Sequence, residues 1–414
     1  MTLVFLALLT GASCADAPAA LQAALRQEAD PGALWQLAPL AGAEGVEILT
    51  ARSRDVQGQE ALVVPVALGL SRRAEALGAL RRVPPNTREA TLGRALGLLA
   101  LGDNSVTATV ADGLSNPLLA EHRSLTARAL ARMPAKIPRE LSYDLLSDVD
   151  PEVRVAVAEL HLRRGSRKAR TVLEAAARGA EPRAEEATAM LLRDGHRFSA
   201  SDLSRLPSVL RGPAMVTWVE PRGVTRDQLV QGDPGLRAGA IAASLRNGEP
   251  PVPLILALLQ RRSTRHEESV GEAAIVQALT GEMGSKELEA LSPSGIRGVV
   301  EVLTAFSVDP VPFVSRTRIQ NIVRFAEGWQ ADGRLTPPDQ ARLLRALGRL
   351  DGTASLGWAR AGLDASPEIA LAALNTVEEA GRAKDADALL SVAQGATGWV
   401  RARALEAAMA VCRR

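Results

Sequence analysis

The chain is poor in the residues that most enzyme and metal chemistry uses. Its 414 residues include two cysteines, four histidines and eleven aromatic side chains. Cys14 and Cys412 stand at opposite ends, and the first falls in a stretch patterned like a processed leader, so a structural disulfide between them is not expected. Cys412 is expected instead as a small buried apolar residue. The histidines, His122, His161, His196 and His266, are scattered and form no His-Glu-x-x-His or His-x-x-x-His arrangement, so no metal motif is present. There is no Gly-rich phosphate loop, no Gly-x-Ser-x-Gly elbow and no Ser-x-x-Lys. Glu267 and Glu268 are adjacent and so do not share a helix face for acid–base work. No cofactor is implied. Only four basic residues are lysines, and 49 basic against 47 acidic side chains leave a net charge of +2. No overall field favours nucleic acid. Nor does any stretch reach the roughly 18–20 apolar residues that span a bilayer as a helix.

What remains is alanine, leucine and punctuation. Residues 148–165 read Asp-Val-Asp-Pro-Glu-Val-Arg-Val-Ala-Val-Ala-Glu-Leu-His-Leu-Arg-Arg-Gly. Asp150 is placed to cap a helix, Pro151 suits its first position, and Gly165 suits a left-handed stop. Val153, Ala156, Val157 and Leu160 form one stripe, while Val155, Ala158 and Leu162 form a second, so this helix needs two neighbours. A partner helix follows with Ala169, Val172, Leu173 and Ala176, closed by Gly179. Prolines at 85, 117, 151, 182 and 213 recur at intervals of 31 to 34 residues. That period, with apolar stripes in phase, marks a helical repeat array.

The helix start Asp-Pro-x-Val-Arg stands as Asp150-Pro151-Glu152-Val153-Arg154 and again as Asp233-Pro234-Gly235-Leu236-Arg237. Partial copies are Ser366-Pro367-Glu368-Ile369 and Trp399-Val400-Arg401. In these residues the chain resembles HEAT-repeat proteins of the bacterial short-repeat, bilin lyase-like kind. The resemblance covers residues 85–414, with poor fits at 197–232 and 305–336, and it implies an Asp–Arg ladder that departures from the motif interrupt. The expected fold is all-α: an armadillo-type α-solenoid of roughly 10–13 stacked antiparallel helix pairs, a curved rod on the order of 100 Å long. Residues 16–84 are expected to be a degenerate helical N-terminal cap, with one face in water. The proline-rich stretches 249–253 and 309–312 are expected as protruding loops or changes of curvature.

Residues 1–15 read as a secretory signal, with an apolar run from Leu3 to Leu9 followed by small residues. Gly11-Ala12-Ser13-Cys14 resembles a lipobox, which implies lipidation of Cys14 and a membrane tether in the cell envelope. Ser13-Cys14-Ala15 alternatively satisfies an ordinary signal peptidase and a soluble secreted product. A cytoplasmic chain with an apolar first helix is the third reading.

Function is legible only as a surface. The leading expectation is a non-catalytic, exported scaffold that binds a protein partner, identity open, on a concave face. The alternative is a cytoplasmic HEAT-scaffold enzyme or cofactor-handling protein, bilin lyase-like or DNA glycosylase-like, which would need polar and aromatic side chains converging in one groove. Candidate interaction patches are the basic turn Arg163, Arg164, Arg167 and Lys168, the basic turn Arg261, Arg262 and Arg265, and the surroundings of Trp329. Plain helix-end solvation competes for the arginines, and core packing for the tryptophan.

Overall fold

The computed structural model describes residues 14–115, 120–133, 141–179, 183–218, 233–260, 266–281, 285–308 and 314–414. The fold is all-α, with no strand among the described residues, and its helices pack on neighbours in chain order as an α-solenoid. It divides into two compact units.

The first unit comprises residues 1–176 and 382–414. Its helices are α1 (Ala17–Gln27), α2 (Pro31–Leu37), α3 (Ala43–Asp55), α4 (Gln59–Leu70), α5 (Ala74–Arg82), α6 (Arg88–Ala100), α7 (Thr107–Ser115), α8 (Ala120–Arg132), α9 (Pro151–Leu162) and α10 (Arg167–Arg178). The second unit, residues 177–381, carries α11 (Ala184–Arg193), α12 (Ala200–Leu203), α13 (Ser208–Trp218), α14 (Pro234–Arg246), α15 (Pro251–Leu259), α16 (His266–Thr280), α17 (Ser285–Glu289), α18 (Pro293–Phe306), α19 (Arg316–Ala331), α20 (Pro337–Leu350), α21 (Gly352–Gly362) and α22 (Pro367–Ala380). The chain then returns to the first unit with α23 (Ala386–Gly395) and α24 (Gly398–Cys412).

Alternate helices stack, which is the signature of paired repeats: α1 lies on α3 and α3 on α5 in one layer, α2 on α4, α4 on α6 and α6 on α8 in the other. In the second unit α16, α18, α20 and α22 follow one another in the same way, and α19 stacks on α21. The core is almost wholly alanine, leucine and valine, so backbones can approach closely. At the α16–α18 crossing, a Cβ on Gly271 would lie 1.8 Å from the carbonyl oxygen of Gly295, so only glycine fits.

The helix 151–162 forms as its residues dictate. Asp150 accepts from the Glu152 amide, Pro151 sits at the first position, and both apolar stripes are buried. Gly165 takes φ 74°. Arg154 donates to the carbonyls of Asp148 and Val149 and so braces the turn ahead of its own helix. Acidic residues at helix starts are held by arginines further back in the chain: Arg123 forks onto Asp148 with two 3.1 Å bonds, Arg178 reaches Asp202, and Arg211 reaches Asp233. Arg316 does the same for Asp351. The arginines of these rungs therefore lie outside the Asp-Pro-x-Val-Arg motif, although Asp233 is the motif's own first residue.

Three expectations change. Pro213 lies inside α13, not at a helix start, so the proline interval does not mark repeat boundaries throughout. Residues 249–253 do not protrude as a loop: Pro251 and Pro253 occupy the first turn of α15, where a missing amide proton costs nothing. The largest change is at the ends. Instead of turning an outer face to water, α1 and α2 pack against α24, with α1 also touching α23. Cys14 and Cys412 form a disulfide across 398 residues, with their Cα atoms 5.5 Å apart. The expectation against a structural disulfide is thus corrected, because sequence separation says nothing about distance once the last helix pair docks on the first.

Candidate functional site: exposed faces of the array

α15 is the helix whose surface departs most from its neighbours. Its nine residues contain no charge and no hydrogen-bonding side chain. Leu254, Ile255 and Leu258 are buried, and α15 packs on α16. Val252, Leu256 and Leu259, at i, i+4 and i+7, point the other way and are 48%, 51% and 42% exposed. A helix apolar on both sides but covered on one presents a contact surface. In the sequence this helix is hidden, because three prolines in the five residues 249–253 look like a turn.

The basic turn between α9 and α10 is partly committed to structure. Arg163 is exposed, yet it donates to the Ala131 carbonyl at 3.0 Å and pairs with Glu159 at 2.8 Å. Lys168 lies 5.2 Å from the centroid of the Tyr143 ring. Arg164 and Arg167 are exposed beside them. Arg261, Arg262 and Arg265 lie outside the described residues.

Trp329 is not a surface anchor, which corrects that candidate. It is 1% exposed, and its indole N–H donates to the Leu288 carbonyl at 3.1 Å, joining α19 to α17. Phe325 stacks on it at 6.5 Å. In a core of small side chains one large ring fills the space between helices. Among the described residues the aromatic most open to solvent is Trp399, 44% exposed at the start of α24.

A groove of about 500 Å³ runs between α1, α23 and α24. Its walls mix alanines (Ala19, Ala20, Ala23, Ala24 and Ala393) with the polar side chains of Asp16, Gln27 and Gln394. Its guanidinium, Arg401, is spent on the Ala396 carbonyl at 2.8 Å and faces Glu28 at 3.8 Å. No converging set of reactive side chains lines it.

Two polar clusters escaped the sequence reading because their members are brought together only by packing. Ser142 Oγ lies 3.0 Å from His161 Nε2, with the Tyr143 ring edge-on to the imidazole. Serine and histidine are both buried, so this pair is closed to substrate. Arg237 of α14 is wholly buried and meets two carboxylates of α16. Its Nε lies 2.7 Å from each oxygen of Glu272, and Nη2 lies 3.2 Å from Glu268. Arg237 occupies the motif position of Arg154, but it pairs with another helix instead of its own turn.

Burial pulls the Asp202 carboxyl upward, but hydrogen bonds from Ser199 and Arg178 outweigh it and hold the group below its ordinary value. In Asp351, burial is likewise outweighed by the Ala354 amide and Arg316. Burial lowers Arg342, but bonds to Glu301 at 2.7 Å leave it raised. These shifts belong to bonds that hold helices together. Among the described residues no group of histidine, cysteine and carboxylate side chains is arranged to hold a metal ion. No helix there is long and apolar enough to cross a membrane.

Cys14, the candidate lipidation site, has its sulphur bonded to Cys412. A thioether and a disulfide are alternatives for that one atom. Neither the protein-family models nor the curated proteins give a match to the chain.

Proposed function

We propose that this protein is a non-catalytic, HEAT-type interaction scaffold that works in an oxidising extracytoplasmic compartment. The observation that carries the reading is the apolar face of α15. Covering the exposed halves of Val252, Leu256 and Leu259 contributes about 1 kcal/mol each, enough to anchor a protein partner when joined by further contacts. The disulfide supports export, since such bonds persist outside the cytosol. Cell-envelope localisation fits the leader-like start in a chain that keeps residues 1–13, since cleavage after Ala15 removes Cys14 and lipobox processing acylates it. A tether through acylated Cys14 is the alternative for a form in which Cys412 stays reduced.

A photo-crosslinking residue at Leu256 tests the reading, with exposed Ser366 of the same unit as control. The expected outcome in cells is one discrete adduct from position 256, absent from 366 and lost in a Val252→Glu background. Equal labelling at both positions would remove the basis for the scaffold reading.

A further inference from the structure

α1 is held very differently at its two ends. At its C-terminal end the buried Glu28 carboxylate accepts from the Asp30 amide and from the Gly398 amide, each at 3.1 Å, so a residue near the chain's beginning caps the helix at its end. Arg52 also ties down the Leu25 carbonyl at 3.0 Å. Next along, Trp35 of α2 is buried, and Gln36 bonds to Glu406 of α24 at 2.5 Å. The N-terminal end has the Cys14–Cys412 bond. Between the ends α1 is thinly packed. Only Ala17, Leu21, Ala24 and Leu25 are buried, and an open groove flanks it on each side. One is the 500 Å³ groove against α23 and α24. The other, about 300 Å³, lies between Leu21, Leu25, residues 40–45 and Met409. Both cysteines are half-buried, so the bond is within reach of a thiol.

We propose that α1 is a strap and the Cys14–Cys412 disulfide its redox-operated latch. When the bond is intact, the strap closes the α3–α24 side of the first unit. A dithiol reductant supplies two electrons and two protons, the S–S bond breaks to two thiols, and the dithiol closes to its own disulfide. The N-terminal turns of α1 then lift from α24, pivoting on the Glu28 cap, and the two grooves merge into one slot along α24. This inference goes beyond the scaffold reading and does not depend on it.

The test uses the full chain, purified without reductant and equilibrated in an oxidising glutathione buffer. Intact mass and thiol labelling report the bond, and amide hydrogen exchange reports the strap. On reduction with dithiothreitol, amides of α1 are expected to exchange about thirtyfold faster or more, the lower end of what a disulfide contributes, while those of α6 stay unchanged. The double variant Cys14→Ser/Cys412→Ser is expected to exchange like the reduced protein and to ignore reductant. Two free thiols in the oxidising buffer would overturn the proposal. So would α1 exchange that is the same in oxidised, reduced and double-variant proteins, or reduction that loosens α1 and α6 equally.

Discussion

Replacing Arg237 with methionine keeps a long, flexible side chain in place but removes the guanidinium that two buried carboxylates share. Glu272 is fully enclosed and Glu268 nearly so. Without the cation both carboxylates remain charged in a buried site and do not recover their lost hydration. Breaking a buried ion pair from one side costs about 3–5 kcal/mol, a large share of the roughly 5–15 kcal/mol that holds a domain together. With a urea slope of about 2 kcal/mol per M, the unfolding midpoint of the second unit should fall by about 2 M. Trp329 and Trp358 are buried in that unit, and their fluorescence reports it once Trp35 and Trp399 of the first unit are replaced by phenylalanine. The triple variant Arg237→Met/Glu268→Leu/Glu272→Leu removes all three charges and should return most of the loss. A cost below about 1 kcal/mol for the single variant, or no recovery in the triple, would refute the reasoning that the arginine offsets otherwise stranded charge.

The close α16–α18 crossing predicts that Gly271→Ala forces these helices apart and destabilises by about 1–3 kcal/mol, whereas the same change at exposed Gly357, with nothing within 4 Å, is tolerated; paired urea curves decide it. Asp202 and Asp351 have folded values below the ordinary 3.8. Their stabilising effect is therefore present above that value and is lost as pH falls through the lower folded one, so Asp202→Asn with Asp351→Asn should flatten the acid limb of stability below about pH 4. An unchanged acid slope in the double variant would show that other carboxylates carry it.

Repeat logic was legible in the chain wherever it rests on local chemistry. Asp150, Pro151 and Gly165 specify a helix with two apolar stripes through capping, φ preference and periodicity, which need no tertiary partner. The same holds for Asp233, Pro234 and Gly248 around α14. Three features needed the folded molecule. Arg154 and Arg237 share a motif position, but one turns back to its own loop and the other crosses to α16, because the neighbouring helix decides which acceptors lie within reach. Trp329 and the α15 leucines exchange the roles their residue types suggest, since burial depends on which face a neighbour covers. The meeting of Cys14 with Cys412, and of Glu28 with Gly398, depends on where a solenoid's last pair arrives. Composition and period state that pairs stack; which pair covers α1 and α2 is decided by tertiary packing, and within the first unit it is α23 and α24.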